Sequence, residues 1–294
     1  MELKFNNIGI MGKQHTAGVA DTILALIDFL RAKKANIFLE GATAKLLQTK
    51  HDLPVITYDK LGTKCDLLIV VGGDGCMLNA AHIAVLNNVP IVGINRGRLG
   101  FLTDIKPNEI DEKIGAILRG EFKEERRFLL TAGVKNEEQA NLHVALNDFV
   151  LTSGATAQMI EFEIYIDKKF MCSMRSDGLI VATPTGSTAY ALSGGGPILN
   201  PILHAVVLVP MFPHTLSSRP IVIDAGSKIE ICISESTLTP PRFSCDGNPY
   251  IKINPGECIC VEKMSDNLRL IHPMDYDYFE TLRSKLYWGK KITD

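Results

Sequence analysis

Apolar residues follow two different periods along the chain, and the change from one to the other divides it. Asn7–Met11 is a short apolar run that stops at Gly12. Ala20–Lys33 places Ile23, Leu26, Ile27 and Leu30 on one stripe, which predicts a helix. Asn36–Leu39 reads as a second strand. Asp66–Val71 reads as a strand whose residues from Leu67 on are all apolar, the signature of burial on both faces. Met77–Leu86 predicts a helix and Pro90–Ile94 a strand. Pro107 opens a further helix with Ile110, Ile114, Ile117 and Leu118 on one face, and Gly120 ends it. Strands alternating with helices predict an α/β N-terminal domain with a mostly parallel sheet.

Past the charged run Glu121–Arg127 the period shortens to two. Ile160–Ile166, Lys228–Ile233 and Glu257–Lys263 alternate apolar and polar positions, with turn residues between them at Gly247-Asn248-Pro249 and Asn254-Pro255-Gly256. This half is expected to be an antiparallel β-rich, sandwich-like C-terminal domain. The tail Asp275–Tyr287 turns helical again, with Tyr278, Phe279, Leu282 and Leu286 on one side. The expected division is an α/β domain over 1–124, a β-rich domain over 125–272, and a C-terminal helix, 275–294, packed back onto the first domain.

Composition narrows the class. The chain has 294 residues, 46% hydrophobic and 22% charged, enough for two cored domains and too apolar for disorder. Its net charge of −2 excludes a generally basic nucleic-acid binder. No apolar run approaches the ~18 residues of a membrane span. Met1–Met11 has no signal-peptide pattern. The seven cysteines form no Cys-x-x-Cys pair, and they read as reduced thiols of a cytoplasmic protein. The seven histidines show no metal-ligand spacing.

Four segments carry candidate chemistry. Gly72-Gly73-Asp74-Gly75 follows the buried strand and opens a helix, where backbone N–H groups favour anions. An acid there is out of place unless it takes a proton or helps hold a divalent cation; the structural alternative is an N-cap. Asn95-Arg96-Gly97-Arg98 follows the next strand and suits a phosphate-bearing ligand, or is a solvated loop. Thr183–Tyr190 with Ser193 and three glycines offers hydroxyls and N–H groups to diphosphate or ribose oxygens, with Tyr190 able to stack on a base. Asn147-Asp148 lies within the apolar run Ala145–Leu151 and suits a ribose diol or a satisfied core network. Arg175 and Asp177 alternate on one face, as a surface ion pair would. The ordinary dinucleotide fingerprint and the P-loop are both missing from the sequence.

Together these segments resemble the NAD kinases, in their Gram-negative bacterial form. The match runs through Gly-Gly-Asp-Gly (72–75), Asn-Arg-Gly-Arg-Leu-Gly-Phe-Leu-Thr-Asp (95–104), Leu-Asn-Asp-Phe-Val-Leu (146–151) and Arg-Ser-Asp-Gly (175–178). It continues through Thr-Pro-Thr-Gly-Ser-Thr-Ala-Tyr (183–190), Pro-Met-Phe-Pro-His-Thr-Leu-Ser-Ser-Arg-Pro (210–220), Cys-Asp-Gly (245–247) and Leu-Ile-His-Pro (270–273). The resemblance implies ATP-dependent phosphorylation of the 2′-hydroxyl of the adenosine ribose of NAD, giving NADP, with Mg²⁺ accompanying ATP. It implies Asp74 as catalytic base. NAD-binding residues would be Asp74, Gly75, Asn147, Asp148, Arg175, Asp177, Thr188, Ala189, Tyr190, Ala191, Leu192, Ser193 and Asn248. Gly72, Gly73, Gly75 and Arg96 would receive phosphates. An arginine at 175 goes with preference for NAD over NADH. The resemblance also implies a homo-oligomer, a dimer or tetramer. Asn248 stands where Gln is common, and Gln158 where a basic residue is often found.

Two other functions remain open at this point. Another kinase with the same glycine turn would act on a lipid or sugar and has no need of the Thr183–Tyr190 segment. A non-catalytic NAD(P) sensor has no need of an acid at Asp74.

Overall fold

The structure, a computed structural model, describes residues 3–12, 17–47, 52–97, 100–135, 142–153, 158–237, 239–248 and 251–288. Contacts divide the chain into two units, Met1–Arg126 with Leu268–Asp294, and Arg127–Asn267.

The first unit alternates as its pattern dictates. β1 (Asn7–Gly12), α1 (Val19–Ala32), β2 (Asn36–Glu40), α2 (Gly41–Ala44), β3 (Val55–Ile56), α3 (Tyr58–Lys64), β4 (Leu67–Gly72), α4 (Asp74–Leu86) and β5 (Ile91–Asn95) succeed one another. The strands lie parallel in the order β3-β2-β1-β4-β5. Ile8, Ile10, Ile69 and Val71 of the sheet share one core with Ile23, Leu26 and Leu30 of α1 and with Ile110, Ile114 and Ile117. α4 starts at Asp74 rather than Met77, because Gly73 is extended (φ −113°, ψ −172°) and the polar first turn carries no apolar signal. The helix opened by Pro107 changes gauge along its length. It is 3₁₀ over Pro107–Glu109, π over Ile110–Ile114 and α over α5 (Gly115–Leu118).

The second unit holds two antiparallel layers. β6 (Lys123–Val134) leads into it, followed by β7 (His143–Ala145), β8 (Asp148–Thr152), β9 (Ile160–Ile166), β10 (Lys169–Ser176), β11 (Gly178–Ala182) and α6 (Tyr190–Ser193). Then come β12 (Ala205–Met211), β13 (Ile221–Asp224), β14 (Ile229–Ile233), β15 (Arg242–Cys245), β16 (Ile251–Lys252) and β17 (Cys258–His272). One layer runs β10-β9-β14-β17, and the other β13-β12-β11-β8-β15-β16. Phe162, Ile164 and Ile231 of the first share a core with Phe149, Leu151, Val181 and Phe243 of the second. The reverse face of the second layer is also buried. Val150, Ile180, Val207 and Val209 pack there under Ala191 and Leu199. Burial on both faces explains the unbroken apolar runs of β11 and β12.

Cys232 and Cys258 stand opposite each other in the β14–β17 register and are joined as a disulfide, Cα atoms 4.0 Å apart. This corrects the expectation of seven reduced thiols. The partners are brought together by strand register, which no local Cys spacing reveals. Cys65, Cys76, Cys172, Cys245 and Cys260 take part in no disulfide. The tail helix α7 spans Tyr278–Leu286, capped by Asp277 through Phe279 N–H; residues 289–294 lie outside the described residues. Among the described residues no helix is long and apolar enough to cross a membrane.

The end of β17 returns to the first unit, where Leu270 pairs in parallel with Ile91. His272 is fully buried there. Its Nδ1 lies 2.7 Å from Asp104 Oδ2, its Nε2 3.6 Å from Glu125 Oε2, and its ring stacks on Tyr276 at 3.8 Å. Burial opposes the imidazolium, but the two carboxylates outweigh it and hold the group above its ordinary value of 6.5. A raised histidine stabilises the fold fully below the unfolded-state value and loses that contribution as pH rises through the folded one. Wild type should therefore exceed His272→Gln in unfolding free energy by a margin that shrinks as pH climbs above about 6.5. Urea unfolding at a series of pH values measures this, and a margin independent of pH would contradict it.

Candidate active site

β4 and β5 are parallel neighbours, so the loops leaving their carboxyl ends emerge at one edge of the sheet, where open α/β sheets bind ligands. Gly72 ends β4 and is buried; Gly73 precedes α4. A Cβ at Gly73 or Gly75 would meet nothing within 4 Å. Packing among the described residues does not require these glycines. They leave open space at a helix N-terminus, where N–H groups favour a phosphate.

Asp74 does not cap its own helix. Its Oδ2 accepts from Phe101 N–H at 2.9 Å and its Oδ1 from Leu102 N–H at 3.0 Å. The approach depends on Gly100, where a Cβ would stand 2.1 Å from Asp74 Oδ1 and 2.3 Å from Thr103 Oγ1. Asn95 Nδ2 donates to Thr103 Oγ1 at 2.8 Å and anchors the same loop to β5. An ionised carboxylate has about four acceptor sites, so two N–H bonds orient Asp74 without exhausting it. Arg96 turns back on the chain, its Nε donating to Gly18 carbonyl at 2.8 Å. Arg98 lies outside the described residues.

In the second unit Asn147 does not continue a strand as its apolar surroundings suggest. It lies in a bend between β7 and β8, and Asp148 begins β8. Two separate segments take up the bend's backbone groups. Thr183 Oγ1 donates to Leu146 carbonyl at 2.6 Å and Thr183 N–H to Asn147 carbonyl at 2.9 Å. Gly186 lies so close that a Cβ there would be 2.1 Å from Asn147 carbonyl oxygen. From the other side, Asp246 accepts from the N–H groups of Leu146, Asn147 and Asp148. Three motifs far apart in sequence thus form one hydrogen-bonded cluster. Asp148 is 4% exposed. Burial first, and the neighbouring Asp246 second, push its carboxyl up to about 7.

The segment after Thr183 is a short 3₁₀ turn, Gly186–Thr188, followed by α6. Ser187 and Ala191 are buried, Ala191 in the core beneath β11 and β12. Thr188, Ala189 and Leu192 are half-buried; Tyr190 and Ser193 are exposed. Tyr190, Ser193, Met211, Phe212 and Arg219 line a groove of about 470 Å³. Tyr190 and Phe212 also border a smaller pocket with Asp177 and Gln158, about 240 Å³. Gln158 in turn borders a third, about 490 Å³, with Glu161 and Arg175. Arg175 and Asp177 are exposed on either side of buried Ser176, and Arg175 stands opposite Glu161 across β9 and β10. Asn248 is exposed, its N–H bonded to Cys245 carbonyl in the turn that carries Asp246. The unit thus brings Arg175, Asp177, Tyr190 and Ser193 to one run of pockets. Sequence reasoning gave Asp246 no role; an Asp-Gly turn is a common pattern, and its partners lie a hundred residues away.

Known proteins match this chain over nearly its whole length. Residues 8–122 match the ATP-NAD kinase N-terminal domain and residues 146–273 the ATP-NAD kinase C-terminal domain. NAD kinases of Pseudomonas entomophila (strain L48) and Pseudomonas putida (strain GB-1) are each 51% identical over 290 residues, 98% of either chain. Among solved structures, the yeast NADH kinase complexed with NADH superposes with a TM-score of 0.88 at 25% identity, covering 98% of this chain and 90% of that one. An NAD kinase from Archaeoglobus fulgidus in complex with ATP gives 0.73 at 25% identity, covering 95% and 99%. The lipid- or sugar-kinase and sensor alternatives draw no support from these matches, and the chain belongs to the ATP-NAD kinase family.

Proposed function

We propose that Asp74, Asn147 and Asp148 carry the reaction of this ATP-dependent NAD kinase. The enzyme is a phosphotransferase with an alcohol acceptor: it moves the γ-phosphoryl group of ATP to the 2′-hydroxyl of the adenosine ribose of NAD and gives NADP. The observation that carries the residue assignment is Asp74, a carboxylate oriented by two N–H groups beside glycines that packing among the described residues does not require.

Phosphoryl transfer asks the protein for alignment and charge compensation more than covalent chemistry. A ribose hydroxyl is a weak nucleophile, so a group must take its proton as the oxygen attacks phosphorus. Asp74 is that group in this reading. Asn147 and Asp148 hold ribose hydroxyls from a bend that is gripped on two sides. Tyr190 offers a ring to the base; Thr188, Ala189, Leu192 and Ser193 line its approach with backbone and hydroxyl groups. Ala191 acts from the core as support. Asp177, Arg175 and Asn248 complete the dinucleotide contacts. The N–H groups of Gly73 and Gly75 receive phosphate, with Gly72 shaping the turn. Arg96 joins them through the nitrogens it does not give to Gly18.

Mg²⁺ belongs to the same reading. This ion keeps several waters and binds through one or two carboxylates plus substrate phosphates, and Asp74 beside an open glycine turn fits that mode. When bound it neutralises phosphate charge. A homo-oligomer is supported by exposed apolar side chains, with Phe212 81% and Leu216 92% exposed. We infer a cytoplasmic setting, which ATP and NAD as substrates support; the Cys232–Cys258 pair means that cysteine usage no longer argues for it.

Asp74→Asn keeps the shape but cannot take the proton, so kcat should fall by ~10²–10⁴. One loop N–H also loses its acceptor, a cost of about 1–3 kcal/mol in unfolding free energy. Steady-state rates on the folded variant check this, and near-normal kcat would remove Asp74 from the role. Arg175→Gly tests cofactor choice. Wild type should phosphorylate NAD well ahead of NADH and the variant should narrow the gap; equal wild-type rates would sink the assignment. For Asp148, a raised acid makes the folded state hold its proton longer than the unfolded one, so stability falls as pH rises from about 4 to about 7. Asp148→Asn should escape that fall, gaining on wild type across the interval. Parallel pH profiles in denaturant titrations would contradict the burial account.

A further inference from the structure

Asp246 sits in the Cys-Asp-Gly turn after β15 and has no part in the reaction described so far. Its side chain closes on a place where the sheet leaves backbone groups to be satisfied. β7 ends at Ala145 and β8 begins at Asp148, so the bend between them presents successive N–H groups in one direction. Such a run is an anion-binding nest. Asp246 fills it from within the chain. Its Oδ2 accepts from Leu146 N–H at 2.8 Å, and its Oδ1 from Asn147 N–H at 2.8 Å and Asp148 N–H at 3.1 Å. The grip is reciprocal, since Asp246 N–H donates to Asp148 carbonyl at 3.0 Å.

The turn that delivers this carboxylate is itself constrained. Asp246 has φ +47° and Gly247 φ +72°, a left-handed pair that only residues such as Asp, Asn and Gly adopt readily. Asn248 N–H closes the turn onto Cys245 carbonyl at 2.8 Å. On the far side of the bend, Thr183 holds the carbonyls of Leu146 and Asn147. Donors and acceptors of the bend are therefore bound by different segments. If the carboxylate is lost, Thr183 keeps the carbonyls and β8 keeps its pairing, but the N–H groups of Leu146, Asn147 and Asp148 lose the acceptor that gathers them.

We propose that Asp246 is a positioning residue of the dinucleotide site. Through the three N–H groups of the bend it fixes how Asn147 and Asp148 are presented to ribose hydroxyls, and so it sets the affinity for NAD. The proposal rests on the reading of Asn147 and Asp148 as ribose-binding residues. It assigns Asp246 no contact with substrate. Misplacing polar groups by about 1 Å costs on the order of 10²-fold when they orient a substrate. A partial loss of the grip should cost less.

The test is Asp246→Asn in the full-length protein, beside Asn147→Ala. Asn tolerates the positive φ and keeps the side-chain shape, but its amide nitrogen is a donor facing donors. The expected result is a KM for NAD raised roughly 10- to 50-fold, within the cost of a misplaced binding group. The KM for ATP should stay within about threefold, since the bend is assigned to the dinucleotide and not to ATP. A KM for NAD within twofold of wild type would overturn the proposal, and so would equal rises for NAD and ATP, which mark general damage. If Asn147→Ala raises the KM for NAD and Asp246→Asn does not, the positioning role fails while the ribose reading stands. If neither variant moves it, the ribose reading fails and the proposal with it. Hydrogen exchange on the wild type keeps the proposal testable should Asp246→Asn not fold. The amides of Leu146, Asn147 and Asp148 should be protected without ligand, and exchange at open-loop rates would refute the grip.

Discussion

The structure depends most on one kind of contact: a carboxylate that closes on backbone N–H groups of a distant loop. Asp74 does so with Phe101 and Leu102 in the first unit, and Asp246 with Leu146, Asn147 and Asp148 in the second. Both contacts occur where a chain leaves regular sheet and its N–H groups would otherwise need water. Charge-assisted bonds of this type are shorter and stronger than neutral ones. They define a loop more tightly than its own turn propensities do. The first also requires a close backbone approach, supplied by Gly100 at Asp74; the Asn147 bend is approached as closely by Gly186, on the side away from Asp246.

The sheets make these contacts possible by setting where strands end. In the first unit the parallel register aligns Gly72 with Asn95, so the two loops that hold and carry Asp74 begin level with one another. In the second unit the antiparallel register places Phe149 beside Val181 and Cys245. The Asn147 bend is thereby flanked by the start of the Thr183 segment on one side and by Asp246 on the other. Burial on both faces of β8, β11 and β12 keeps that register from slipping, because a shift of one residue would disturb packing on both sides.

Much of this was legible in the chain. Apolar runs and their periods gave the alternation of the first unit and the paired layers of the second. Asp74 stood out because an acid between glycines at a strand end has few structural reasons to be there. Asn147 and Asp148 stood out as polar residues in an apolar run, although the run is broken at Asn147 by bonds that pattern cannot show. What escaped was non-local. Asp246 meets partners about a hundred positions away, and Cys232 meets Cys258 only through strand register. Arg96 reads as a phosphate ligand from its loop, yet Gly18, 78 residues earlier, takes its Nε. The gauge changes after Pro107 were hidden for a different reason: the 3₁₀, π and α stretches are only three, five and four residues long, too short for each to show its own apolar period.

Asp74, held by the loop after Gly100, is proposed to meet the ribose hydroxyl that attacks ATP. A crystal structure of the protein with NAD bound measures this directly. The account requires a carboxylate oxygen of Asp74 within about 2.6–3.2 Å of the adenosine ribose 2′-oxygen, the reach of a proton acceptor. It also requires the Phe101 and Leu102 N–H bonds to stay in place. A bound NAD whose 2′-oxygen lies beyond that reach, with another carboxylate beside it, would contradict the account.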